Sequence, residues 1–166
     1  VEQWDRDRML QANVPPDRLL PPVRIPLEPD AGKVRKACVR FVTPTELKSG
    51  ERVAERPEFA VLFARARDRV STLRALYGPG PLDIDFQGMG ERASRVRMTH
   101  CDLHPEYVER RSSRTGQTHR IGGLIGQAVY EGELEEFLPY LRAARWTGVG
   151  RHTVWGNGVI ETDAAG

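Results

Sequence analysis

Two cysteines in 166 residues, Cys38 and Cys101, make no disulfide framework, and without a C-x-x-C pair they make no zinc site by themselves. Both lie in apolar, strand-like runs, where a free thiol behaves as a small core residue. A reducing cytoplasm fits that usage. No apolar run approaches the ~20 residues of a membrane span, and no signal-peptide pattern stands at this N-terminus. The expected setting is therefore cytoplasmic, with no membrane partner. The chain opens at Val1 without a methionine, which points to a fragment or a processed form. Neither G-x-G-x-x-G nor G-x-x-x-x-G-K-[ST] occurs, so the dinucleotide and nucleotide phosphate loops are excluded. Lysine is scarce as well, 3 Lys against 22 Arg. Guanidinium groups fork onto phosphates and stack on bases, which ammonium groups do not, although a GC-rich genome produces the same bias. At a net charge of +2 the chain carries no overwhelming field of one sign.

What is present is unevenly spread. Residues 1–33 hold six of the twelve prolines, a density that helices and central strands exclude. They are expected to form an irregular linker or covering arm, with one short helical stretch over Asp5 to Gln11. Val34 to Val42 reads as the first strand, ended by Pro44, and Thr43 to Gly50 as a polar loop carrying the rare Lys48. Pro57 to Tyr77 is the best helix. Phe59, Leu62, Phe63, Ala66, Val70, Leu73 and Leu76 repeat at three- and four-residue steps, with Arg65, Arg67, Asp68, Arg69 and Arg74 on the opposite, solvated face. Leu82 to Phe86 alternates like an edge strand, and Gly88 to Ala93 fits a helical turn. Val96 to Leu103 reads as a strand, then Tyr107 to Ser113 and His119 to Tyr130 as hairpin arms around Thr115-Gly116-Gln117. Leu134 to Arg145 is a second amphipathic helix that either starts near Pro139 or kinks there. Thr153 to Glu161 closes the chain as a last strand.

Two regions carry chemistry. Gly148-Val149-Gly150-Arg151-His152-Thr153-Val154-Trp155-Gly156-Asn157-Gly158 places two Gly-x-Gly pairs around a segment with one Arg and one His. Glycine permits positive φ and close backbone approach, and amides in such a turn can line an anion-binding concavity. A polyanion, RNA, is the functional reading; a glycine-rich hairpin that merely turns is the other. The second region, Arg92 to Arg120, has seven Arg, no Lys and three acids, and three of the four His. A basic hairpin there serves either as a reader of a nucleic-acid backbone or as a charged edge that prevents strand pairing. His100 and His104 with Cys101 and Asp102 fit no common metal spacing, so no metal or other cofactor is expected. Of the histidines, His152 alone merits a test for acid–base chemistry.

The order of elements is β-α-β-β-α-β, an α+β, ferredoxin-like split arrangement over residues 34–162, with an antiparallel sheet and two helices on one face. RNA recognition motifs share that order, but the arm His119 to Tyr130 lacks their aromatic signature, so base stacking on the sheet is not expected.

Several local motifs agree in order with a known family. Phe41-Val42-Thr43-Pro44-Thr45-Glu46-Leu47-Lys48 resembles its strand-to-loop motif. Arg111-Ser112-Ser113-Arg114-Thr115-Gly116-Gln117 with Gly122-Gly123-Leu124-Ile125-Gly126 resembles its hairpin. Phe137-Leu138-Pro139-Tyr140-Leu141, Gly148-Val149-Gly150 and Trp155-Gly156-Asn157-Gly158 resemble its helix and glycine-rich loop. The stretch Val34 to Glu161 thus resembles the repeat-associated mysterious protein superfamily of CRISPR systems, and within it the carboxy-terminal domain of endoribonucleases that process precursor repeat RNA. Asn157 departs from the apolar residue usual there.

The resemblance implies an RNA-binding ferredoxin-like domain whose partners are CRISPR repeat RNA, an upstream domain of the same chain, and other CRISPR-associated proteins. It implies metal-independent cleavage by attack of a ribose 2′-hydroxyl on the adjacent phosphate, with the acid and base in the amino-terminal domain, so no catalytic residue is assigned here. Gly148, Gly150, Arg151, Gly156 and Gly158 map onto the loop as RNA-contact or loop-shaping positions. The basic and polar residues of the two regions add His152, Arg110, Arg111, Arg114, His119, Arg120 and Lys48. Alternatives are a non-catalytic structural subunit of an RNA-guided effector complex from the same superfamily, and a ferredoxin-like interaction domain unrelated to RNA.

Overall fold

The computed structural model describes residues 24–111 and 118–165, with the backbone alone at 110–111, 118–120 and 165. Its chain order is β1 (Lys36–Thr45), β2 (Lys48–Ser49), β3 (Arg52–Val53), α1 (Phe59–Tyr77), α2 (Phe86–Ala93), β4 (Arg97–Arg111), β5 (Thr118–Glu131), α3 (Leu138–Thr147), a 3₁₀ turn (Thr153–Trp155) and β6 (Ile160–Ala165). The four long strands form one antiparallel sheet in the order β4-β5-β1-β6. That order, with a helix after the first and third long strands, is the expected ferredoxin-like arrangement.

Alternation along the strands sorts the sheet into two faces. Ala37, Val39 and Phe41 of β1, Ala128 and Tyr130 of β5, and Ile160 of β6 are buried, opposite Phe59, Leu62, Phe63, Ala66 and Val70 of α1 and Leu138, Leu141 and Ala144 of α3. Phe137 sits at the centre. Its ring meets Phe63 at 4.7 Å and Phe59 at 5.4 Å, both edge-on, and Phe59 meets Tyr130 at 5.2 Å. Edge-to-face pairs add about 0.5–1.5 kcal/mol each beyond the area they bury. The Tyr130 hydroxyl donates to the Pro57 carbonyl at 2.7 Å, tying the sheet to the start of α1. The other face of the sheet is polar. It carries the ion pairs Arg40–Glu161 and Lys36–Glu131, and Arg40 holds the Glu161 carboxyl below its ordinary range by donating to it. Cys38 and Cys101 are free and half-buried, not core residues, because β1 and β4 each place them where one side stays open to solvent.

Several expected elements differ. Pro44 does not end the first strand. The register of β1 against β5 shifts between Phe41 and Thr45, and that bulge absorbs the missing amide. The loop after it contains the small β2–β3 ribbon, turning at Gly50 with φ +60°. Leu82 to Phe86 is not a strand. Asp85 caps α2, its carboxylate accepting from the Gly88 amide at 2.9 Å, and a five-residue alternation was too short to outweigh that cap. The two strand pieces on either side of Pro105 are one strand, β4, because Pro105 lies on the sheet edge, where a proline breaks no essential ladder bond. The helix expected from Leu134 is α3, which starts only at Leu138, with Pro139 in its first turn, where proline is tolerated. The last strand begins only at Ile160, since Gly156 and Gly158 both have positive φ and turn the chain. On α1 the apolar face stops short of Leu76, which is 67 % exposed, and Arg67 is buried instead of solvated. Its guanidinium donates to the Phe86 carbonyl at 2.8 Å and lies 4.6 Å from the Phe86 ring, because α2 packs over it. Ahead of β1, Leu27 packs on the core and Asp30 pairs with Arg142 of α3 at 2.7 Å. Asp5 to Gln11 lies outside the described residues.

Candidate functional site

The glycine-rich loop runs between α3 and β6, and most of its glycines serve the chain's own closure. A Cβ on Gly150 (φ +82°) would lie 2.3 Å from the Glu46 carbonyl oxygen, and one on Gly158 (φ +80°) 2.1 Å from that of Val149. One on Gly148 (φ +68°) would meet the Thr153 side chain at 2.8 Å. Gly156 (φ +86°) differs, with open space where its Cβ would be. The loop amides are also engaged. Val149 donates to Gly158, Arg151 to Glu46, Trp155 and Asn157 to His152, Gly156 to Thr153, and Gly158 to Pro44. Those amides are occupied by carbonyls of the same chain, and charge reaches the surface beside them through side chains.

Arg151 is held at two points. Its amide and its guanidinium both reach Glu46, the latter at 2.6 Å, and Glu46 is only 6 % exposed while the Arg151 side chain remains half exposed. Glu46 follows β1 directly, so the strand-to-loop motif and the glycine loop are fastened together. Beside this joint lies a shallow groove of about 340 Å³ lined by Lys48, Arg65, Asp68, Arg69, Thr72, Gly150 and Arg151. Four cations face it against one lining carboxylate, and Asp68 is already shared with Arg67 and Arg65. Arg69 donates to the Thr147 carbonyl at the end of α3, 3.2 Å away, which fixes its stem across the groove. A cleft with this charge suits phosphate oxygens.

Lys48, Gly150 and Arg151 are therefore brought together as neighbours. Arg65 and Arg69, assigned to the solvated face of α1 by periodicity, line the same groove. Helical phase shows that they point outward but not that the glycine loop comes to lie beside them. His152 sits at the loop's turn with φ +62°, the one non-glycine residue at positive φ among the described residues. Its ring stacks on Trp155, centroids 5.0 Å apart and planes 6° from parallel. Such a backbone costs about 1–2 kcal/mol and concentrates at functional sites. Arg110, Arg111, His119 and Arg120 are placed by backbone only, at the distal end of the β4–β5 ladder, where Arg110 pairs with His119. Their side chains, Arg114 and the hairpin tip lie outside the described residues. His100 and His104 are exposed. No metal-binding cluster of His, Cys, Asp or Glu occurs among the described residues, and no helix among them is long and apolar enough to cross a membrane.

Comparison with solved structures returns the same architecture. Thermus thermophilus Cas6 superposes with a TM-score of 0.60 at 22 % identity, over 80 % of this chain and 55 % of that one. A second Cas6, solved as a product complex, gives 0.54 at 24 % identity over 79 % and 52 %. A partial Cas6-RT-Cas1–Cas2 complex gives 0.56 at 13 % identity over 80 % and 23 %. The chain spans about half the length of the two Cas6 structures. No curated protein matches it. The family model for the CRISPR-associated endoribonuclease Cas6 aligns with residues 39–160, which takes in most of β1, both main helices, the hairpin ladder and the whole glycine loop; by that span the chain belongs to the Cas6 family.

Proposed function

We propose that residues 34–162 form the RNA-binding carboxy-terminal domain of an endoribonuclease that processes precursor CRISPR repeat RNA in the cytoplasm. The observation that carries this reading is the groove in which Lys48, Arg65, Arg69 and Arg151 converge on the glycine loop. RNA hairpins are recognised chiefly through shape, phosphate and 2′-hydroxyl contacts, and a rigid row of guanidinium groups serves that chemistry. Gly148, Gly150 and Gly158 hold the loop in shape. Gly156, His152 and Arg151 occupy its turn, and Arg110, Arg111, Arg114, His119 and Arg120 supply the basic hairpin. Cleavage proceeds by attack of a ribose 2′-hydroxyl on the neighbouring phosphate, a reaction that needs no metal. The acid and base come from an upstream domain of the same protein, and the half-length overlap with the Cas6 structures supports that division. The match to a complex containing Cas1 and Cas2 supports other CRISPR-associated proteins as partners.

The test is binding of the full-length protein to a repeat hairpin RNA across a salt series. Lys48→Ala and Arg65→Ala leave the Glu46–Arg151 joint intact. Each is expected to weaken binding and to reduce the slope of log affinity against log salt by about 1. Absence of binding at low salt, or slopes unchanged in both variants, overturns the reading.

A further inference from the structure

The cationic groove holds one residue that a plain phosphate site does not need. Arg65, Asp68, Arg69 and Thr72 all line it, and a spacing of i, i+3, i+4 and i+7 puts them in one stripe along α1. Asp68 thus lies between two guanidinium groups whose positions are one turn, about 6 Å, apart along the helix axis. Its two carboxylate oxygens differ. Oδ1 accepts twice from Arg67, from Nε at 3.1 Å and from Nη2 at 2.8 Å. Arg67 is itself buried and donates to the Phe86 carbonyl at 2.8 Å, so the carboxylate is fixed by a partner that cannot swing away. Oδ2 stands 3.9 Å from Arg65, near enough for attraction and too far for a hydrogen bond. Among the described residues no donor bonds to it, and it keeps its full capacity to accept.

We propose that Asp68 accepts a hydrogen bond from a ribose 2′-hydroxyl of the bound RNA, so that the groove distinguishes ribose from deoxyribose. This rests on the RNA-binding reading above and adds to it the group that reads the sugar. An ionised carboxylate accepts and never donates. Phosphate oxygens do the same and carry the same sign, so Asp68 taken alone weakens phosphate binding. Of the repeating parts of an RNA backbone, the 2′-hydroxyl is the one that donates. Cation, carboxylate, cation along the stripe therefore complements phosphate, hydroxyl, phosphate along a strand. A hydrogen bond to an ionised acceptor is among the stronger kinds. A deoxyribose in the same place leaves Oδ2 without a donor and facing phosphates that repel it. The Arg67 bond serves this by holding the carboxylate in one orientation.

The experiment measures binding of the full-length protein to a repeat hairpin RNA and to a series in which one 2′-hydroxyl at a time is replaced by fluorine. Fluorine keeps the sugar pucker, every phosphate and every base, and removes only the donor. The parent is expected to lose about tenfold in affinity at one position of the series. Asp68→Ala binds the unmodified RNA more weakly than the parent and is insensitive to fluorine at that position, while responding like the parent at all others. Arg67 keeps its bond to the Phe86 carbonyl in this variant, and a urea midpoint close to the parent's checks the fold. A change in affinity by one common factor across the whole series, up or down, means that Asp68 acts only through its charge or its pairing with Arg67, and overturns the proposal. So does a parent that no single fluorine weakens; in both cases the RNA reading stands. Failure of the parent to bind any of these RNAs at low salt overturns both.

Discussion

A Cβ on Gly158 would lie 2.1 Å from the Val149 carbonyl oxygen, whereas one on Gly156 would meet nothing within 4 Å, although both residues have φ above +80° or at it. In the sequence the two glycines of the second pair are indistinguishable; packing separates them. Gly156→Ala pays only for a left-handed backbone, about 1–2 kcal/mol. Gly158→Ala adds a clash with backbone that cannot swing away, and is expected to cost roughly 3 kcal/mol or more. Urea midpoints at constant slope measure both, and equal losses would remove the distinction. The charged residues teach the same lesson. Lys48 and Arg151 were legible as candidates, the first by rarity and the second by its place between glycines. Arg65, Arg67 and Arg69 were read together as one solvated row, but Arg67 is buried under α2 while the other two line the groove.

At the scale of elements, hydrophobic period located α1 and α3 well, since both bury one stripe against one sheet. Short or interrupted elements were harder to read. Leu82 to Phe86 has the alternation of a strand, but a side-chain cap at Asp85 commits the following residues to helix α2. Asp85→Ala is expected to cost about 1 kcal/mol. The loss should appear as faster hydrogen exchange at α2 amides, with the β1 and β5 amides unaffected. Uniform acceleration across the protein would show instead that α2 is not a separate unit. Two prolines misled in the same direction. Pro44 and Pro105 sit inside strands because one lies at a bulge and the other at an edge, and neither circumstance is visible without the partner strands.

For the molecule as a whole, the contact between sheet and helices also makes stability depend on alkaline pH. Burial of Tyr130 beneath Phe59 pushes its phenol well above the ordinary value of about 10. The folded protein keeps this proton where the unfolded chain gives it up, so the contribution to stability is complete below about pH 10 and is lost as pH rises beyond it. Tyr130→Phe is expected to lower stability by about 1–2 kcal/mol at neutral pH, by leaving the Pro57 carbonyl without its donor. It should also flatten the alkaline decline; an unchanged alkaline limb would sink this assignment. Order and spacing of elements, and the glycine loop's sequence, determined the ferredoxin-like arrangement by themselves, because hydrophobic period and turn chemistry act along the chain. Tertiary structure alone decided that Glu46 anchors Arg151, that α1 supplies Arg65 and Arg69 to the same groove, and that Trp155 and Asn157 face the hairpin ladder. Those pairings join residues up to about a hundred positions apart, and no local preference can encode a neighbour that only the sheet order brings near.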